Sequence, residues 1–335
     1  MQDPALSVVV IGRNEGARLV RCLESVSAMA HPFGLFEIIY VDSASSDGSA
    51  AKAAEFGAKV IEITSGRMSA ARARNAGWQA AVAPFILFLD GDTVLHPDFV
   101  TKALAEFENP QVAVVWGHRR ELHPEASLFN RVLDLNWVYP PGLTEFCGGD
   151  AVMRRSALEQ AGGFNPDLVA GEEPDLCHRI RAHGGLIPHI DVPMTGHDFA
   201  MVSFRQYWRH SFRAGHAYAE IAARHKNSGD PLWQSASRTN VVQASAYMTL
   251  PAVALLAALL LHSWLVLFAL GGCAIAIIVR TAYKARSKPA SPATLLLFAI
   301  HSHFQQIPVF MGQLRYWKNA RRNWRSELIE YKKSA

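Results

Sequence analysis

Hydrophobic positions along the first 235 residues follow two alternating rhythms. Short apolar, β-branched runs at 6–11, 37–41, 59–63, 85–89 and 112–116 predict five strands. Between them the spacing turns helical. Residues 15–28 put Leu19, Leu23 and Val26 on one face, and 69–81 and 97–107 follow the third and fourth strands. Ser46-Asp47-Gly48-Ser49 opens another helix with Asp47 as its N-cap, and 152–160 reads as a helix after Gly148-Gly149-Asp150. Repeated βα units predict an α/β fold with a mixed, mostly parallel sheet covered on both faces. Ligands of such sheets bind at the carboxyl ends of the strands. Glu15, Asp42, Asp90 and Asp92 all fall just after predicted strands, on what would be one shared rim.

Beyond residue 235 the pattern changes. From 239 to 279 there is no Asp, Glu, Lys or Arg. As helix this stretch would run about 60 Å, roughly twice a ~30 Å hydrocarbon core. It predicts a hairpin of two crossings at about 241–283, turning near Leu261-His262-Ser263-Trp264, with Gly271-Gly272 marking close packing in the second arm. Arg280, Lys284, Arg286 and Lys288 follow, which places that end in the cytoplasm together with residues 1–235. Another apolar stretch at about 293–314 carries His301, His303, Gln305, Gln306 and Pro308, and Arg315, Lys318, Arg321, Arg322 and Arg325 come after it. A full crossing would export those charges, so an interfacial or re-entrant helix with a basic cytoplasmic tail is expected, a third crossing being the alternative. Residues 204–221 interleave Phe204, Tyr207, Trp208, Phe212 and Tyr218 with Arg205, Arg209 and Arg213, predicting an amphipathic helix at the membrane surface over about 200–225. The expected organisation is a 1–235 domain and a 236–335 membrane region.

Composition sharpens this. The 335 residues are 50% hydrophobic and 19% charged, little charge for a soluble enzyme. The net charge of +4 is modest, and its basic clusters lie beside apolar segments instead of forming a stripe in a soluble domain, which excludes nucleic acid as the expected partner. Cys22, Cys147, Cys177 and Cys273 are scattered without paired metal spacing and read as reduced thiols in or facing the cytoplasm. The start at Met1 lacks the basic opening of a signal peptide.

The candidate chemistry begins at 85–92, where an apolar run ends in Asp90-Gly91-Asp92. Positions i and i+2 of an extended chain point the same way, so both carboxylates can converge on one divalent cation. Oxygen ligation suits Mg²⁺ or Mn²⁺, which share coordination with substrate phosphates. The alternative is a βα turn with Asp92 or Thr93 near a helix N-terminus.

Several motifs in order resemble the family 2 glycosyltransferases of GT-A fold. They are 7–15 (SVVVIGRNE), 41–49 (VDSASSDGS), 73–77 (ARNAG), 89–92 (LDGD), 148–155 (GGDAVMRR) and 171–176 (GEEPDL). The resemblance covers residues 5 to about 225 and implies a nucleotide-sugar enzyme, mostly inverting in that family. It implies that Glu15 and Asp42 line the nucleotide pocket, Asp42 accepting from the base, although Asp42 could instead cap its turn. Arg74 and Asn75 would be nucleotide-sugar contacts, Arg74 meeting the diphosphate with its planar fork. Asp90 and Asp92 become metal ligands, with His197 as a third. Gly149 and Asp150 would border the acceptor, Asp150 on a sugar hydroxyl, the alternative being an N-cap. Of Glu172 and Glu173, where relatives often carry Glu-Asp, the second would be the catalytic base, with Glu172 the alternative because Glu stands here for Asp. Gln206-Tyr207-Trp208-Arg209-His210 is similar to the Gln-x-x-Arg-Trp motif of processive synthases, which makes Trp208 and Arg209 acceptor-side candidates. His210 replaces its tryptophan, which argues against a self-contained synthase-exporter.

The expected function is therefore a metal-dependent, inverting glycosyltransferase. It would move a sugar from a nucleotide-diphosphate donor to a lipid-linked acceptor at the cytoplasmic face of the inner membrane, in surface-glycan or exopolysaccharide assembly. A processive polysaccharide synthase subunit and a non-catalytic membrane scaffold are the alternatives.

Overall fold

A computed structural model describes residues 3–30 and 34–324. Arg325 and the rest of the expected basic tail lie outside the described residues. The chain divides into two compact units. One holds the chain up to Pro124 with Trp137–Ala200; the other holds Glu125–Asn136 with the chain from Met201 on.

The first unit is built on β1 (Leu6–Gly12), β2 (Phe36–Asp42), β3 (Lys59–Glu62), β4 (Phe85–Asp90), β5 (Thr93–Leu95), β6 (Val114–Glu121), β7 (Gly142–Leu143), β8 (Ala151–Arg154) and β9 (Pro188–His197). They form one sheet in the order β3-β2-β1-β4-β8-β6-β9-β5, with β7 on β9. β1 to β4 pair in parallel, and β8 runs antiparallel to both β4 and β6. Helices α1 (Ala17–Ser27), α2 (Ser49–Glu55), α3 (Ala70–Ala80), α4 (Phe99–Glu106), α6 (Arg155–Ala161) and α7 (Glu172–Ala182) complete the unit, while α5 (Leu128–Asp134) belongs to the other. Val8, Val9, Val10, Leu87 and Phe88 are fully buried, which explains why the central strands are continuous apolar runs without alternation. The helix expected at 152–160 is a strand at Ala151–Arg154 followed by α6. The backbone of that strand bridges β4 and β6, and the side chains of Val152 and Met153 are fully buried. β9 was not expected because it contains two prolines. Pro193 lies where the β6–β9 register shifts, an irregularity of the kind at which strands admit a residue without an N–H.

The second unit contains α5, α8 (Phe204–Arg224), α9 (Gln234–Leu260), α10 (Leu265–Lys284), α11 (Pro292–Phe304) and α12 (Gln306–Arg321). Among the described residues, two helices are long and apolar enough to cross a membrane: Gln234–Leu260, with mean hydropathy 1.6, and Leu265–Ser287, with 2.2. The link Leu261–Trp264 falls where the sequence put the turn. Among the described residues nothing packs against Gly271 or Gly272, where close packing was expected in the second arm. The single helix expected at 293–314 is broken at Gln305 into α11 and α12. Pro308 supplies the reason: it lacks an N–H and its ring crowds the carbonyl of residue 304. Polar side chains tie α11 to its neighbours. His301 Nδ1 bonds the Tyr207 hydroxyl at 2.9 Å, and His303 lies between the Tyr247 hydroxyl at 2.6 Å and Thr281 Oγ1 at 2.9 Å.

α8 starts with a capping box in which Ser203 accepts from the Gln206 backbone and the Gln206 side chain accepts from the Ser203 N–H. Trp208 packs against Phe204 and Phe304, and Arg209 is exposed. α8 and α12 cross where two glycines face backbone: a Cβ on Gly215 would strike the Val309 carbonyl, and one on Gly312 the Phe212 carbonyl. Gly312→Val is accordingly expected to destabilise this unit by about 1–3 kcal/mol or more, by overpacking. Thermal unfolding in detergent measures it, and an unchanged midpoint would contradict a close crossing of α8 and α12.

Candidate active site

The parallel register aligns three strand ends, with Gly12 opposite Asp42 and Ile11 opposite Asp90. Asp90 therefore closes β4 at the same edge where β1 and β2 stop. The Gly91 N–H donates to the Ile11 carbonyl at 2.8 Å, and a Cβ on Gly91 would sit 3.1 Å from that oxygen and 3.2 Å from Glu15 Cγ. Glycine is needed here because backbone and Glu15 approach so closely. Glu15 is thus brought against both Gly12 and Gly91, and it pairs with Arg18 at 2.8 Å.

Asp42 is buried and serves its own loop. Oδ2 accepts the Ser45 N–H at 2.7 Å and Oδ1 the Tyr40 hydroxyl at 3.0 Å. Of the two readings of Asp42, turn cap and base acceptor, the first is the one visible here. Asn14 Oδ1 accepts the Ser46 N–H, lacing the β1 and β2 loops together. Asn75 also faces inward: its amide donates to the Phe164 carbonyl and accepts from the Phe164 N–H and the Trp78 indole. Those bonds tie α3 to the loop before α7.

Arg74, on α3, is the meeting point of residues far apart in sequence. Its Nη2 lies 2.9 Å from Asp90 Oδ1, and its Nη1 lies 3.0 Å from Glu172 Oε1 and 2.8 Å from Glu173 Oε1. Both glutamates occupy the first turn of α7, where free N–H groups and the helix dipole favour negative charge. Gly171 precedes them at φ 85°, a left-handed conformation that glycine adopts without strain. Glu172 is buried and Glu173 is partly open. Burial, then the neighbouring Glu172, pushes the Glu173 carboxyl up to about 7 against the pull of Arg74. Burial works against the Arg74 charge, but Glu173, Asp90, Glu172 and Asp150 together hold it firmly protonated.

Asp150 is fully buried rather than open to an acceptor. Oδ1 accepts the Asp90 N–H at 3.0 Å and Oδ2 the Thr195 hydroxyl at 2.8 Å. It brackets the end of β4 to β9, two residues before His197. Burial pushes its carboxyl up to about 6, with Arg119 opposing. Gly149 likewise faces the interior: a Cβ there would lie 2.6 Å from Arg74 Nη2 and 2.9 Å from Asp90 Oδ2. On the other side, His197 Nε2 sits 3.2 Å from Asp92 Oδ2, with both side chains buried. Trp137 packs edge-on to His197 at 5.0 Å, and the Arg119 guanidinium lies over the Trp137 ring at 5.0 Å. Arg119 also approaches Asp90 and Asp150, each at 3.7 Å. Arg119, Trp137 and Thr195 were not anticipated; none stands in a motif that would single it out. Cys147 and Cys177 are buried with sulfurs 3.6 Å apart as free thiols. Trp208 and Arg209 belong to the other unit.

The donor set fits a divalent cation. Asp90 and Asp92 offer carboxylate oxygens and His197 a ring nitrogen, and the carboxylates of Asp90, Asp150, Glu172 and Glu173 outnumber the guanidinium groups of Arg74 and Arg119 that meet them. Among the described residues, no three His, Cys, Asp or Glu side chains already form a ligand shell.

Comparison with known proteins settles the family. The family described as glycosyl transferase family group 2 matches residues 85–301, and glycosyl transferase family 2 matches residues 7–162. The chain is a family 2 glycosyltransferase. The pre-mycofactocin glycosyltransferase of Mycobacterium tuberculosis is 30% identical over 173 residues, spanning 48% of this chain and 37% of that one. Glycosyltransferase AglE of Haloferax volcanii is 26% identical over 190 residues, spanning 54% and 62%. This glycosyltransferase thus spans less than two thirds of either relative. Its fold is shared with the mannosyltransferase PcManGT from Pyrobaculum calidifontis, solved in complex with GDP-Man and Mn²⁺. The TM-score is 0.65 at 18% identity, covering 95% of this chain and 88% of that one. The GT-A fold expected from the motifs is therefore the fold of the first unit, and two apolar helices follow it.

Proposed function

We propose that this glycosyltransferase moves one sugar from a nucleotide-diphosphate donor to a hydroxyl, with inversion at the anomeric carbon. The observation carrying this reading is the gathering of Asp90, Glu172 and Glu173 around one buried guanidinium at the carboxyl edge of the sheet. Asp90, Asp92 and His197 would hold a divalent cation, which when bound offsets charge on the leaving nucleoside diphosphate. The fold shared with a mannosyltransferase solved with GDP-Man and Mn²⁺ supports both donor class and metal. Glu173, the more open of the two adjacent glutamates, takes the proton from the acceptor hydroxyl as that oxygen attacks the anomeric carbon. Its raised affinity for protons suits a base working near neutral pH.

The acceptor in this reading is lipid-linked. Two helices of crossing length and an amphipathic α8 support an anchor in the inner membrane, with the sugar transfer on the cytoplasmic side. Confinement to one interface raises the encounter rate of enzyme and lipid. A surface-glycan or exopolysaccharide pathway is the setting that chemistry fits. Gln206, the first residue of the stretch resembling the synthase motif, is spent capping α8, which favours single-sugar transfer over processive synthesis.

The test is to incubate membranes carrying the protein with a panel of nucleotide sugars and follow nucleoside diphosphate release with and without extracted lipid. Release from one donor, dependent on the lipid fraction and on Mg²⁺ or Mn²⁺, is expected. Equal release with a soluble sugar acceptor and no lipid would overturn the lipid-linked assignment.

A further inference from the structure

We propose, resting on the assignment of Glu173 as base, that Arg74 is a positioning residue that joins the base to the metal-binding edge and does not contact the donor diphosphate. The sequence alone offers Arg74 as a phosphate contact, being an arginine beside the metal strand. The geometry directs it elsewhere. Its side chain is 3% exposed, and both terminal nitrogens are engaged: Nη1 with Glu172 and Glu173, Nη2 with Asp90. The Phe164 ring lies 5.6 Å from the guanidinium carbon. The opposite approach is blocked by Gly149, whose α-carbon comes so near that a Cβ would stand 2.6 Å from Nη2. The guanidinium is thus enclosed by α3, the end of β4, the Gly149 loop and the first turn of α7, and reaches carboxylates on two of them.

Such an arrangement has a mechanical consequence. A planar fork with two terminal nitrogens can hold acids on two sides at fixed separation, which a lysine point charge cannot. Asp90 and Glu173 are therefore carried on one rigid group, and the distance from base to metal-binding edge is set by the width of a guanidinium. An electrostatic consequence follows. The groups facing Glu173 are Glu172 on its own helix, Arg74 on α3, Asp90 on β4 and the Cys147 thiol. Arg74 is the one cation among these four, so without it Glu173 faces the carboxylates of Glu172 and Asp90 without that opposing charge and holds its proton to higher pH.

The test compares Arg74→Gln, Arg74→Lys and Gly149→Ala with wild type in the full membrane-embedded chain, reading kcat, donor KM and the pH profile. Arg74→Gln is expected to lower kcat about 100-fold, with the acid limb of the profile raised by about one pH unit and the donor KM within about twofold of wild type. Arg74→Lys should restore the pH profile but not kcat, because charge returns without the fork. Gly149→Ala leaves every charge in place and pushes Arg74 off Asp90. It should lower kcat about tenfold at unchanged donor KM, and it serves if Arg74→Gln does not fold. A donor KM raised tenfold with the acid limb unmoved would make Arg74 a diphosphate contact and overturn the inference. Wild-type kcat in Arg74→Gln or Gly149→Ala would overturn it too. Glu173→Gln, run in parallel, separates the two assignments: full activity there sinks Glu173 as base whatever Arg74 does. An inactive Glu173→Gln with an unmoved Arg74→Gln profile sinks the clamp alone.

Discussion

Asp92→Ala is expected to lower sugar transfer by about 10³-fold or more at saturating Mn²⁺, the loss of roughly 4 kcal/mol of transition-state stabilisation. Asp92 is buried beside His197, with Nε2 3.2 Å from Oδ2, so no solvent-exposed substitute can take its place. Removing it takes one of the two proposed carboxylate ligands and the oxygen that His197 approaches. Nucleoside diphosphate release at increasing Mn²⁺ measures the effect. The expected variant shows both a lower plateau and a higher metal requirement. Wild-type rate at the same Mn²⁺ would remove Asp92 from the metal-binding set. His197→Ala should act in the same direction and more mildly, since two carboxylates remain.

Glu173→Gln is the second large effect. The amide keeps size and one acceptor oxygen but cannot take a proton, so kcat should fall about 10²–10⁴-fold with donor binding retained. The sign of the pH dependence follows from the raised affinity of this carboxyl, pushed up to about 7 by burial and by Glu172. A base works only when deprotonated. In the wild type, kcat should therefore climb about tenfold per pH unit below neutrality and level off above about 7. In Glu173→Gln that slope should vanish. A wild-type profile flat from pH 5 to 8 would assign proton removal to another group. Glu172→Gln provides a contrast: relieved of a like charge, Glu173 would titrate lower, and the acid limb should move to lower pH without a comparable loss of plateau rate.

Much of the first unit was legible along the chain because parallel strands buried on both faces are written as unbroken apolar runs. Val8–Val10 and Leu87–Leu89 are such runs, and each ends at the edge where the acids sit. What escaped has identifiable causes. Ala151–Arg154 looks like the beginning of a helix because four residues carry no period, and only the gap between β4 and β6 makes them a strand. Pro188–His197 hides its strand behind two prolines, one of which is admitted by a register shift. The break at Gln305 was readable from Pro308, which sits where an apolar count alone sees one continuous helix.

The site was legible as a set of residue types and not as an arrangement. Asp90, Glu172 and Glu173 could each be singled out, but that they share Arg74 depends on a contact across 98 positions, from residue 74 to residue 172. The same holds for Asp150. A Gly-Gly-Asp before an apolar run reads as an acceptor contact or an N-cap, yet the carboxylate is fully buried, where it accepts from the Asp90 N–H and the Thr195 hydroxyl. Asn75 reads as a ligand contact, and in the fold its amide also bonds the Phe164 backbone. In all three cases a buried donor or acceptor claims the side chain, a requirement that no local pattern announces.

Binding of Mn²⁺ by the full chain in detergent, followed by electron paramagnetic resonance in the presence of a nucleoside diphosphate, is the most direct measurement of whether these acids gather one ion. One equivalent of Mn²⁺ should be immobilised by the wild type, lost in Asp90→Ala and Asp92→Ala, and retained in Glu173→Gln. Undiminished Mn²⁺ binding in the Asp90→Ala, Asp92→Ala double variant would contradict a metal centre at the end of β4.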